Sequence, residues 1–275
     1  MARHAKTQEM LDVAVAALGE THPMTVRQVY YQLVSRQVIE NNRGRYQAVS
    51  DLLVAARREG VIPWEWIEDR LRRPRTVAMW DDLPAFLSAV RRSYRRDVWA
   101  DQPAYLEVWL EKDALSGIFE EVLAGYGVTL NVGRGFDGWD SIHNAAARFA
   151  GCAGATVLYF GDFDPSGEDM VRSLRARLAD QGAAPEVVKC ALTMDDIRRY
   201  HLPPDFAKAT DSRAAKFIAK HGDVSVELDA LPAAVLRARL VAEVESLMDL
   251  EALARTRRRE EEDRARLLAL LDDAA

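Results

Sequence analysis

The chain has few of the side chains that make thiol, zinc or disulfide chemistry. Its 275 residues include 2 cysteines and 5 histidines. Cys152 and Cys190 are far apart and form no ligand spacing, and His4, His22, His143, His201 and His221 are scattered. No zinc site or disulfide framework is expected, and both thiols read as reduced and buried. Long apolar runs are missing too. None approaches the roughly 20 residues of a membrane span, and the polar start MARHAKTQEM is unlike a signal peptide. A cytoplasmic protein without membrane contact is the expectation. Repeats and low-complexity segments are absent as well. A net excess of positive charge is also lacking, since the chain carries a formal charge of −6. A uniformly cationic nucleic-acid binder is thereby excluded, but the distribution of charge matters more than its sum.

Residues 1–100 carry 16 Lys+Arg against 12 Asp+Glu, and the remaining 175 carry 21 against 31. A basic amino-terminal half thus precedes an acidic half. With 49% hydrophobic and 29% charged residues, the composition is that of a globular protein with a sizeable core. In the basic half a first helix is predicted from about Thr7 to Leu18. Thr25 and Gln28 then form a capping box, and Val26, Val29, Tyr30, Leu33 and Val34 follow a buried helical face. Tyr30 belongs to that face. Tyr31, about a hundred degrees away, is predicted on the polar flank with Arg27 one turn before it.

A third helix is predicted from about Arg45 to Glu59, with Tyr46, Val49, Leu53 and Ala56 inward. Short apolar pieces and Arg70, Arg72, Arg73 and Arg75 follow, as in a winged helix-turn-helix, the alternative being a plain helical bundle with a solvated basic face. A fourth helix, Trp80 to Tyr94, is predicted to turn Leu83, Phe86, Leu87, Val90 and Tyr94 inward and Arg91, Arg92, Arg95 and Arg96 outward. The break at Asp101 to Pro103 divides a DNA-binding domain, 1–100, from a second domain, 101–275.

The second half alternates as a parallel α/β sheet does. Strands are predicted at Tyr105–Leu110, Val128–Val132, Ala155–Phe160 and Glu186–Ala191, and helices at Ser116–Ala124, Trp139–Ala150, Glu168–Leu178, Met194–Tyr200 and Ala214–Lys220. In Ala155–Met170, ATVLYFGDFDPSGEDM, alternation puts Asp162 and Asp164 on one face at the carboxyl end of a strand, where ligands of open α/β sheets bind. An EF-hand loop is excluded, because its twelfth position would be Ser173. Glu111 ends the first strand and the turn Gly133-Arg134-Gly135-Phe136 the second. Three carboxylates beside a glycine-rich turn suit Mg²⁺ and a phosphodiester. Glu227 and Asp229 in SVELDAL, again two apart, are candidates for supporting that site. From Ala233 onward the chain is predicted helical and charged, with Arg257 to Arg259 followed by Glu260 to Asp263.

Together, Glu111 in WLEKDAL, the GRGF turn and GDFDPSG resemble a Toprim domain, the metal-binding α/β module of topoisomerases, primases and some nucleases. The same run with VRQVYYQL resembles the A subunit of topoisomerase VI and the meiotic double-strand-break transesterases, in particular the compact Mini-A type. The resemblance implies an α/β protein with an amino-terminal winged helix and a carboxyl-terminal Toprim-like parallel sheet. It implies Tyr31 as the nucleophile assisted by Arg27, and Mg²⁺, for which Mn²⁺ can substitute, held by Glu111, Asp162 and Asp164. The DNA contacts expected with it are Arg43, Arg45, Arg57, Arg58, Arg72, Arg73, Lys112 and Arg134. It further implies double-stranded DNA as substrate, a homodimer working in trans, and a separate ATPase partner. Two alternatives stay open: a Toprim nuclease using metal-activated water, and a noncatalytic DNA-binding relative.

Overall fold

The computed structural model describes residues 4–68, 77–133, 138–152, 154–204 and 213–272. The chain begins with α1 (Ala5–Glu20), α2 (Val26–Ser35), α3 (Arg43–Arg58) and α4 (Leu83–Ser93). It then alternates through β1 (Tyr105–Leu110), α5 (Ser116–Leu123), β2 (Thr129–Val132), α6 (Trp139–Phe149), β3 (Ala155–Phe160), α7 (Pro165–Asp180) and β4 (Glu186–Ala191). Helices α8 (Met194–Arg199), α9 (Ala214–His221), α10 (Ala233–Leu247) and α11 (Leu250–Asp272) follow.

The four strands form one parallel sheet in the order β2-β1-β3-β4. Alternation along β1 sorts its side chains. Leu106, Val108 and Leu110 enter an apolar cluster with Phe119 of α5 and with Leu236 and Leu240 of α10, which continues into α1, α2 and α3. Trp109, Val157 and Tyr159 pack on the other face under Ile142 of α6 and Met170 and Leu174 of α7. Each such buried Leu, Ile or Phe contributes roughly 1.5–3 kcal/mol. The charged exception is Glu107 in mid-strand. It is fully buried, accepting from Arg148 Nε and Asn131 Nδ2 at 2.6 Å each and from Trp109 Nε1 at 3.0 Å. This carboxylate ties β1 to β2 and α6.

Local signals explain most boundaries. The capping box at Thr25 is present, with Gln28 Oε1 accepting from Thr25 N at 2.7 Å. Helix α7 starts at Pro165, three residues earlier than the periodicity suggested, because Asp164 caps it and proline fits the first helical turn. SVELDAL makes a single antiparallel bridge, Val226 to Phe163, and then a 3-10 turn, Leu228–Ala230, rather than a strand.

Two side-chain placements differ from the periodic reading. Tyr31 is buried along with Tyr30, because the Glu227–Asp229 segment covers the flank of α2. Helix α4 has no buried residue, and Leu83 and Phe86 are exposed. Leu87, Val90 and Tyr94 are partly covered, with Tyr94 bonded to Asp263 of α11, so the expected inward face is sheltered only in part. Before β1 the described residues contain no strand, only the parallel bridge of Met24 with Ile67. The arginines at 70, 72, 73 and 75 and the residues Arg134 to Phe136 lie outside the described residues.

Candidate active site

A doubly wound sheet opens a crevice where successive connections leave in opposite directions. In the order β2-β1-β3-β4 that point lies between β1 and β3. The helix after β1 covers one face of the sheet and the helix after β3 the other. Glu111 and Asp162 stand at the carboxyl ends of these two strands.

Glu111 continues the ladder, its N–H donating to the Phe160 carbonyl at 2.9 Å. Its Oε2 accepts from the Asp162 N–H and from the Tyr159 hydroxyl, each at 3.0 Å. Gly161 lies directly beneath, and a Cβ there would collide with both the Glu111 carboxylate and the Tyr159 hydroxyl. The first glycine of GDFDPSG is therefore set by close approach of a carboxylate, not by turn geometry. Asp162 Oδ1 accepts from the Leu228 N–H at 2.7 Å and its Oδ2 lies 3.2 Å from Lys112 Nζ. Burial pushes the Asp162 carboxyl up to about 7, with Lys112 opposing and Glu111 reinforcing the shift. Asp164 uses Oδ1 to cap α7, accepting from the Gly167 N–H at 2.6 Å.

Lys112 is the hub. Its ammonium lies 3.2 Å from Asp162, 3.0 Å from Glu227 and 3.7 Å from Asp229. Burial alone would lower its pKa, but the three carboxylates outweigh it and the pKa rises. Arg27 of α2 pairs with Glu227, and its Nε lies 2.9 Å from Asp229 Oδ2. Asp229 is almost fully buried, and that burial raises its pKa. Glu227 moves the other way, because Lys112 and Arg27 overcome its desolvation. The Tyr31 hydroxyl donates to Glu227 Oε2 at 3.0 Å. Burial first, then the Glu227 charge, raises the Tyr31 pKa, so the phenol is held protonated.

A continuous path thus runs Tyr31, Glu227, Lys112, Asp162, all within one chain. Beside it is a cavity of about 250 Å³ lined by Tyr31, Arg27, Glu227, Asn42, Arg43 and Tyr46. Arg43 opens α3 at this cavity, so two guanidinium groups and a helix amino terminus border the phenol.

The candidate residues separate into groups. Glu111 and Asp162 meet directly, and Arg27, Tyr31, Glu227 and Asp229 share one network. Asp164 is turned to its cap. Among the described residues, no three His, Cys, Asp or Glu side chains are gathered as a metal set. The oxygen donors of Glu111 and Asp162 suit Mg²⁺, which takes one or two carboxylates and keeps its waters. Lys112, expected at DNA, is instead engaged with carboxylates. Arg45 borders a separate hollow beside Lys6, Arg57 stacks over Trp64 at 4.9 Å, and Arg58 is exposed at the end of α3. Arg72, Arg73 and Arg134 lie outside the described residues.

Two participants escaped the sequence reading. Tyr159 holds Glu111, and Lys189 Nζ donates to the Asp162 carbonyl at 2.9 Å and to Glu168 at 2.6 Å. Tyr159 is in register with Trp109, two residues before Glu111, and that register is not visible in either strand alone. Comparison of the chain with protein-family models and with curated proteins gives no match.

Proposed function

We propose that the chain is a Mg²⁺-dependent DNA-cleaving enzyme of the topoisomerase VI A-subunit type, with an amino-terminal winged-helix half and a Toprim-like sheet. The observation that carries this reading is the in-chain path from Tyr31 through Glu227 and Lys112 to Asp162. It joins the candidate nucleophile to the candidate metal carboxylates, which are far apart in sequence.

In this reading a DNA phosphate enters the cavity beside Tyr31, and Arg27 and Arg43 bind its oxygens. The phenolic oxygen attacks phosphorus, forming a 5′-phosphotyrosyl bond, while the bond to the 3′ oxygen breaks and that oxygen leaves as a hydroxyl after taking a proton from water. Glu227, which accepts the Tyr31 hydrogen bond, orients the phenol and takes its proton as the bond to phosphorus forms. Glu111 and Asp162, with Asp164 nearby in the chain, would hold Mg²⁺. When bound, the ion polarises the phosphate and stabilises the departing oxygen. Double-stranded DNA is the proposed substrate, a homodimer the working form with each Tyr31 serving the carboxylates of its own chain rather than acting in trans as the resemblance implies, a separate ATPase the source of any strand passage, and the cytoplasm the location.

The test is incubation with supercoiled DNA and Mg²⁺ or Mn²⁺, quenched with denaturant and run with and without protease. The reading expects linear or nicked DNA that enters the gel fully only after proteolysis. Products that run identically without protease would exclude it.

One observation favours a second reading, a nuclease in which metal-activated water attacks. Tyr31 is buried and its pKa is raised, which disfavours the phenolate. The 5′ end of the product separates the two, protein-linked in the first and a free phosphate in the second.

A further inference from the structure

The arginines at the end of α4 and the arginine run of α11 take no part in this site, yet they converge elsewhere. Arg95, Arg96, Arg257 and Arg264 line one cleft of about 540 Å³, a size within the range of small-ligand pockets. Val98, Gly125 and Gly127 supply small side chains and main chain to its wall.

The charges in this cleft are unevenly matched. Arg96 Nε donates to Asp263 at 2.7 Å, and Arg264 Nη2 lies 2.5 Å from Glu260. Glu260 also accepts from the Arg96 N–H at 2.8 Å. Arg95 donates to the carbonyls of Arg92 and Tyr94 at 2.7 and 2.8 Å, with Glu260 only at 3.9 Å. Arg257 donates to the Gly125 carbonyl. Carbonyls orient a guanidinium but do not neutralise it, so Arg95 and Arg257 bring fixed positive forks of the kind that read phosphate. Glu261, largely exposed, is the remaining acidic side chain in the lining.

We propose that this cleft binds a phosphate-class oxyanion, carried by a free nucleotide or by a nucleic-acid backbone, through Arg95 and Arg257. It is distinct from the site at Tyr31. Residues 95–98 precede β1 and Gly125 and Gly127 precede β2, so the cleft lies toward the amino-terminal edge of the parallel sheet. Glu111 and Asp162 lie at the carboxyl edge, one strand length away, roughly 20 Å at about 3.3 Å per residue. An anion held here is not the phosphate that Tyr31 would attack, so the inference stands whatever the chemistry at Tyr31.

Calorimetric titration of the full chain at low salt with pyrophosphate, with metal-free ATP and with a short DNA duplex tests it. At least one of these ligands binds the wild type, and Arg95→Gln/Arg257→Gln weakens that binding by about tenfold or more. Glu261→Gln tightens it about two- to threefold, a gain that a merely structural role would not produce. Loss confined to the duplex identifies a nucleic-acid backbone as the source, and loss with pyrophosphate and ATP identifies a free phosphate. If Arg257→Gln lowers the melting temperature, Arg95→Gln alone carries the test with about a threefold loss, since its hydrogen bonds are to its own helix end. No binding of any of the three, or binding that the arginine variants leave unchanged, overturns the proposal.

Discussion

Lys112 holds together three carboxylates that repel one another in its absence. Replacing it by methionine keeps the length of the side chain and removes the charge. Breaking a buried pair in this way costs about 2–4 kcal/mol at pH 8, measurable by urea unfolding. Without the ammonium, the neighbouring carboxyls titrate higher in the folded protein than the roughly 4 of an unfolded chain, from which Asp162 is already pushed up to about 7. The folded variant then binds more protons than the unfolded one, so its stability rises as the pH falls from about 8 to about 5. Added Mg²⁺ raises the melting temperature of Lys112→Met more than that of the wild type. A loss that is independent of both pH and Mg²⁺ would contradict the role assigned to Lys112. At the same scale, Tyr31 shows what a helical wheel leaves out. Its angle on α2 was readable, but its burial depends on Glu227, 196 positions away.

At the level of elements, glycines in helices can be told apart by what a Cβ would meet. A Cβ on Gly167 would strike the Asp162 main chain, whereas one on Gly19, near the end of α1, meets nothing. Gly167→Ala is expected to cost about 2 kcal/mol or more, and Gly19→Ala to gain up to about 1 kcal/mol, both read from denaturant melts. Helices α8 and α10 are joined by Asp196, which accepts from Arg239 Nη1 at 2.7 Å and Nη2 at 2.5 Å. Burial works to raise the Asp196 pKa, but the bonds from Arg239 and Thr193 win and lower it. The stability this pair contributes is therefore present above the ordinary carboxylate range and is lost as the pH falls through the lower folded value. Asp196→Asn is expected to be about 2 kcal/mol less stable than the wild type at pH 7, with the gap closing below about pH 4. A gap constant across that range would show that the carboxylate charge is not what matters.

For the whole molecule, the legible part was whatever repeats locally. All four strands of the parallel sheet are marked by short, largely apolar runs, and β1, β3 and β4 match their expected bounds. The carboxylates at the ends of β1 and β3 followed from strand position and topology. Pairings that need register or long-range cover were not legible. Glu107 with Arg148, Tyr159 with Glu111 and the turn from SVELDAL over α2 each join segments whose sequences carry no mark of the partner. Helix α4 differs in the opposite sense, since its apolar pattern is plain while α11 covers it only in part and leaves Leu83 and Phe86 exposed.

The central claim is that Tyr31 becomes covalently joined to DNA. Mass spectrometry of the tryptic peptide Gln28–Arg36, from protein trapped by denaturant during cleavage and digested with nuclease, tests it directly. The account predicts a nucleotide adduct on Tyr31 that vanishes in Tyr31→Phe, while DNA binding by that variant persists. Cleaved DNA alongside an unmodified peptide, or an adduct on Tyr30, would contradict it.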